Sequence, residues 1–91
     1  HATDQGNGKV KLSGSFGVFI SGRLIAHLYD EHGRSTGTTT IMDVSPTEAV
    51  SLDTEITPLA KIKRLSLHLV DESGLDRGAL QEGQVSGQDN H

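Results

Sequence analysis

Hydrophobic and polar residues alternate along most of this chain with a period of two, as they do in strands that bury one face. Val10, Leu12, Phe16, Val18 and Ile20 share one parity, broken by Gly14, while Lys9, Lys11, Ser13, Ser15 and Ser21 take the other. This predicts a half-buried strand, kinked or bulged at Gly14. After a two-residue turn at Ser21-Gly22, Leu24, Ala26 and Leu28 form the inward face of the next strand, with Arg23, Ile25, His27 and Tyr29 outward. Glu31-His32-Gly33 then turns the chain into a threonine-rich strand over 35–43, whose β-branched side chains suit a pleated surface. Ser45-Pro46-Thr47-Glu48 has the form of a capping box with proline at the first helical position. Val50, Leu52, Thr54 and Ile56 nevertheless keep period two, so one helical turn at most precedes another strand. Residues 61–71 form the most regular strand, with Leu65, Leu67 and Leu69 inward; 71–77 turn, and 79–85 close the set.

The pattern is also repeated. Residues 23–44 align with 64–85 at an offset of 41, and nine of the 22 positions are identical. Each copy reads as an alternating strand, an acidic turn closed by glycine (Gly33, Gly74) and a return strand. Seven short strands with glycine-rich turns predict an all-β protein, a seven-stranded antiparallel two-sheet sandwich of immunoglobulin-like or fibronectin-like type. A small open barrel is the second architecture. The expected layout is a flexible tail over 1–8, a single domain over 9–85 and a flexible tail over 86–91.

Composition narrows this picture. With 91 residues and only Phe16, Phe19 and Tyr29 as aromatics, leucine, isoleucine and valine must supply the core. The absence of cysteine removes disulfides and thiolate metal sites. A net charge of −4 with both signs interleaved argues against a nucleic-acid partner. No apolar run reaches the roughly 20 residues of a membrane span. A chain opening on His1 without methionine reads as one trimmed either by a cell or by an experimenter; on the first reading an extracytoplasmic setting, periplasmic or secreted, is expected.

Few residues suggest chemistry. His27 and His68 occupy equivalent places in the two copies, so side-by-side pairing would let them share a metal; the alternative is a pair of solvent-facing positions. His1 offers an α-amine and a ring nitrogen together, a donor set that copper favours, which makes a copper-binding domain the rival reading. Asp30-Glu31 and Asp71-Glu72 fall short of a calcium loop and read as turn formers. No strained nucleophile motif occurs, so no catalytic residue, enzyme activity or cofactor is expected. Lys61, Lys63 and Arg64, with Lys9 and Lys11, are the one basic concentration, a candidate stripe for steering an acidic partner.

Two resemblances accompany these residues. Leu28-Tyr29-Asp30-Glu31-His32-Gly33 resembles the Leu-Tyr-Asp-x-x-Gly element of bacterial FxLYD-type sandwich domains. The succession Arg34 through Thr40, Ser45-Pro46, Val50 to Ile56 and Lys61 to Gly74 is similar in layout to the curli-system periplasmic chaperones, although the Cys-x-Cys of some members is absent. That likeness implies an immunoglobulin-like sandwich that restrains strand-forming subunits, with Lys61, Lys63 and Arg64 as contact residues. The expected function is therefore a non-enzymatic assembly or chaperone-type module that binds other protein chains through an exposed strand edge and the basic stripe. A carbohydrate-binding or structural module of a larger surface protein is a third reading, with Phe19 and Tyr29 as its outward aromatics.

Overall fold

Each alternating segment forms a strand, and a further strand forms where a tail was expected. The structure, a computed structural model, describes residues 2–86. Its strands are β1 (Ala2–Asp4), β2 (Val10–Val18), β3 (Gly22–Tyr29), β4 (Ser35–Val44), β5 (Thr47–Ile56), β6 (Arg64–Asp71) and β7 (Asp76–Ser86). Strands account for 69% of the described residues, and no helix occurs among them.

The strands lie side by side in the order β4-β3-β6-β7-β1-β2-β5, a single sheet curled into a half-barrel. All neighbours are antiparallel except β1 and β7, which run parallel. The expected antiparallel two-sheet sandwich is thus replaced by one continuous mixed sheet. The join is β1, a strand of three residues. Ala2 sits opposite Val85 on β7 and Leu12 on β2, and all three side chains are buried.

Curling brings the aliphatic parity inward. Leu12, Ala26, Leu28, Leu52, Leu65 and Leu67 form one buried cluster, and Val18, Leu24, Val44, Val50 and Leu69 a second. Phe16 and Ile41 pack against both. Ile62, on the β5–β6 connection, is also buried in the first cluster. Residues 61–63 precede the β6 ladder instead of joining it, although the Lys63 N–H donates to the Tyr29 carbonyl and the Lys63 carbonyl accepts from Val85.

One local expectation is corrected and another is met. Gly14 pairs regularly with Leu52, and the irregularity in β2 falls between Phe16 and Val18. Ser45 and Pro46 link β4 directly to β5, with no helical turn, because Val50, Leu52 and Ile56 bury only in extended conformation.

The β3–β4 and β6–β7 turns are built alike. The Asp30 carboxylate accepts from the His32 and Arg34 N–H groups, and the Asp71 carboxylate from those of Ser73 and Leu75. Gly33 and Gly74 follow at φ 77° and 88°, values that favour glycine. Between the hairpins, β3 pairs with β6 so that Ala26 faces Leu67, Leu24 faces Leu69 and Leu28 faces Leu65. Ala26 and Leu67 are equivalent positions in the two sequence copies. An approximate two-fold axis therefore passes through this pair.

Gly22 begins β3 against the β6 backbone, and a Cβ there would collide with the Val70 carbonyl oxygen. Gly22→Ala is expected to cost about 1–3 kcal/mol in urea unfolding. Gly83→Ala, where a Cβ meets nothing within 4 Å, should stay within about 0.5 kcal/mol of the native chain. Equal stability of the two variants would contradict this packing.

Candidate functional site: two histidines and an aspartate on the outer face

His27 and His68 lie on the parity opposite the buried leucines, on adjacent strands. His27 faces Ser66 and His68 faces Ile25, one residue to either side of the Ala26–Leu67 pair. The approximate two-fold thus makes the two histidines diagonal neighbours on one face. Their ring centroids are 4.2 Å apart, with the planes tilted by 44°.

A third group joins them from β7. The ladder between β6 and β7 slips between His68 and Val70, so Asp76 faces Val70 while Ala79 faces His68. This slip carries the Asp76 carboxylate back to His68, whose Nδ1 lies 3.0 Å from Oδ2 and 3.1 Å from Oδ1. Asp76 Oδ1 also accepts from the Gly78 N–H at 2.7 Å. The Gly78 N–H and then the His68 hydrogen bond hold the Asp76 carboxyl below its ordinary range, and the nearby charge of His27 adds to the effect. The His68 side chain is 20% exposed and that of Asp76 44%, so the site opens to solvent on one side. One potential ligand atom from each of His27, His68 and Asp76 falls within 4.8 Å of the other two.

Of the sequence-derived metal candidates, His27 and His68 are therefore brought together, while His1 lies outside the described residues. Asp76 was hidden inside the segment read as a turn. A signal for it exists in the repeat. Asp76 and Gly78 occupy the places of Ser35 and Gly37, and the Ser35 hydroxyl accepts from the Gly37 N–H as Asp76 does from Gly78.

The basic residues do not form one stripe. Arg64 begins β6, and Lys11 lies on β2 with β7 and β1 between them. Lys11 also sits 3.8 Å from Asp53 on β5. The Arg64 guanidinium lies over the Tyr29 ring, 4.4 Å from its centre. Lys61 and Lys63 border a surface pocket with Asp30, Glu31 and His32. Lys9 is exposed, and its neighbours Gly8 and Val10 line a second depression with Lys61. Four of the five thus cluster loosely at one end of the barrel among acidic groups. The outward aromatics also part company: Phe19 is fully outside in the β2–β3 connection, and Tyr29, beneath Arg64, ends β3. They make no common platform for a sugar.

No protein-family model matches this chain, and neither curated proteins nor solved structures include a match to it. Among the described residues no helix is long and apolar enough to cross a membrane.

The turn carboxylates make stability depend on pH. The Ser73 hydroxyl, followed by the Leu75 N–H, holds the Asp71 carboxyl below its ordinary value, and the Arg34 N–H does the same for Asp30. A carboxyl with a folded pKa below its unfolded one stabilises the fold above the unfolded value, and that contribution is lost as pH falls through the folded value. Stability is expected to hold down to about pH 5 and to decline below it. Asp71→Asn keeps an acceptor oxygen in the turn but not its charge, so urea melts at a series of pH values should show a shallower acid decline. A decline as steep as that of the native chain would remove Asp71 as a source.

Proposed function

We propose that this chain is a non-catalytic module that accepts an extended segment of another protein along the free edge of β4. The observation that carries this reading is the contrast between the two edges of the sheet. Both β4 and β5 have a ladder partner on one side alone. Edge strands invite further pairing unless charge, proline or bulges oppose it. On β5, Asp53 and Glu55 are exposed, and Lys11 reaches across to Asp53. On β4, no residue from Ser35 to Met42 is charged and none is proline; exposed Asp43 and the two register shifts against β3 lie toward its ends. Thr38, Thr39 and Thr40 occupy its regular central stretch, opposite His27, Ala26 and Ile25.

The same reading supplies a preference for the added strand. Tyr29 faces both Ser35 and Arg64, so the start of β4 lies at the end of the sheet that carries Arg64 and Lys63. Arg34 immediately precedes it. An extended segment with acidic residues at this end gains attraction in addition to backbone hydrogen bonds. The role this suits is that of an accessory or assembly factor, which takes hold of strand-forming chains without chemical change.

A labelled peptide of alternating threonine and valine, ending in glutamates, tests the proposal by fluorescence anisotropy. Successive residues of a strand direct their N–H groups to opposite sides. Of Thr38→Pro and Thr39→Pro, one therefore removes a bond to β3, costing about 1–3 kcal/mol, while the other removes a free edge donor. The variant of unchanged stability should lose peptide binding, and binding to the native chain should weaken with salt. A peptide that ignores both prolines, or that fails to bind the native chain, would overturn the assignment.

A further inference from the structure

We propose that His27, His68 and Asp76 bind one divalent late-transition-metal ion, with zinc as the representative case. The donors decide the class. Two imidazoles and one carboxylate suit borderline ions, whereas calcium needs six to eight oxygens and magnesium a mostly oxygen shell. No thiolate is available, since the chain has no cysteine.

The geometry supports the same assignment. In a tetrahedral shell with bonds of about 2.0–2.1 Å, ligand atoms stand roughly 3.3 Å apart. His68 Nδ1 and Asp76 Oδ2 are already 3.0 Å apart, and the whole group falls within 4.8 Å. A contraction of at most about 1.5 Å in the widest of these separations brings the group to that shell. The histidines stand on neighbouring strands of a fully paired ladder, with Ala26 and Leu67 buried beneath them, so their backbone positions are fixed before any ion arrives. Asp76 is likewise held by Gly78. Three protein ligands leave a tetrahedral ion a fourth position for water or for a donor from a partner. The site borders β4, where Thr38 faces His27, but it requires no strand on that edge.

Titration of the histidine-labelled full chain with zinc, followed by NMR, tests the proposal, because each of the five histidine rings reports separately. The His27 and His68 rings should move together and saturate at one equivalent. Bound zinc should also raise the melting temperature, and calcium and magnesium should move neither ring. Asp76→Asn, His68→Gln and His27→Gln should each weaken zinc binding by at least about tenfold. His27→Gln keeps a polar group on the outer face and leaves the core intact, so it carries the test if removal of His68 unfolds the chain. Zinc that shifts only His1, His32 or His91, or that binds the three variants as tightly as the native chain, would overturn the site.

Discussion

The ladder between β3 and β6 determines both faces of the molecule at once. With Ala26 opposite Leu67, the leucines at 24, 28, 65 and 69 fall together on the buried side. The same register sets His27 and His68 diagonally on the other side. A slip of one residue would turn the leucines into water and the histidines into the core, and burying each leucine contributes about 1.5–3 kcal/mol. Aliphatic packing thus enforces an arrangement of polar groups that no direct attraction between the two imidazoles would hold.

Around this centre the sheet is joined by modest means. Strand β1 contributes one buried side chain, Ala2, and links the β4-β3-β6-β7 half to the β2-β5 half through backbone hydrogen bonds. Side chains from both halves share the larger aliphatic cluster, with Ile62 set among them. The halves are therefore held chiefly by apolar contact across the curl, and the thin join keeps them in register. Curling without closure leaves β4 and β5 as edges; β5 exposes Asp53 and Glu55 along its length, whereas β4 is uncharged from Ser35 to Met42 and carries Asp43 near its end.

How much of this was legible depended on whether the signal was local. Leu24, Leu28, Leu65 and Leu69 announced their burial through parity, and Gly33 and Gly74 marked turns through the φ they require. β1 was not legible, since Ala2-Thr3-Asp4 has one small apolar residue and gains its place only from two partners distant in sequence. The same shortfall turned one curled sheet into an expected sandwich. Ser45-Pro46-Thr47-Glu48 carried a true helix-start pattern, which the pull of Val50, Leu52 and Ile56 toward the core overrode. Asp76 escaped because a ladder slip, invisible in alternation, returns it to His68. The stripe of basic residues required the strands of Lys11 and Arg64 to be neighbours, but the strand order inserts β7 and β1 between them.

The approximate two-fold has a consequence at its own axis. A residue on such an axis meets its own counterpart, so identical side chains there would be packed against themselves. Ala26 and Leu67 are both almost wholly enclosed, on facing positions of one pleat where Cβ atoms stand about 5 Å apart. Leucine faces leucine on the pairs to either side, Leu24–Leu69 and Leu28–Leu65, so at the axis the ladder narrows to one small and one large side chain. Because the pair on the axis is unlike, the two-fold holds for the backbone register and is broken in the core beneath it.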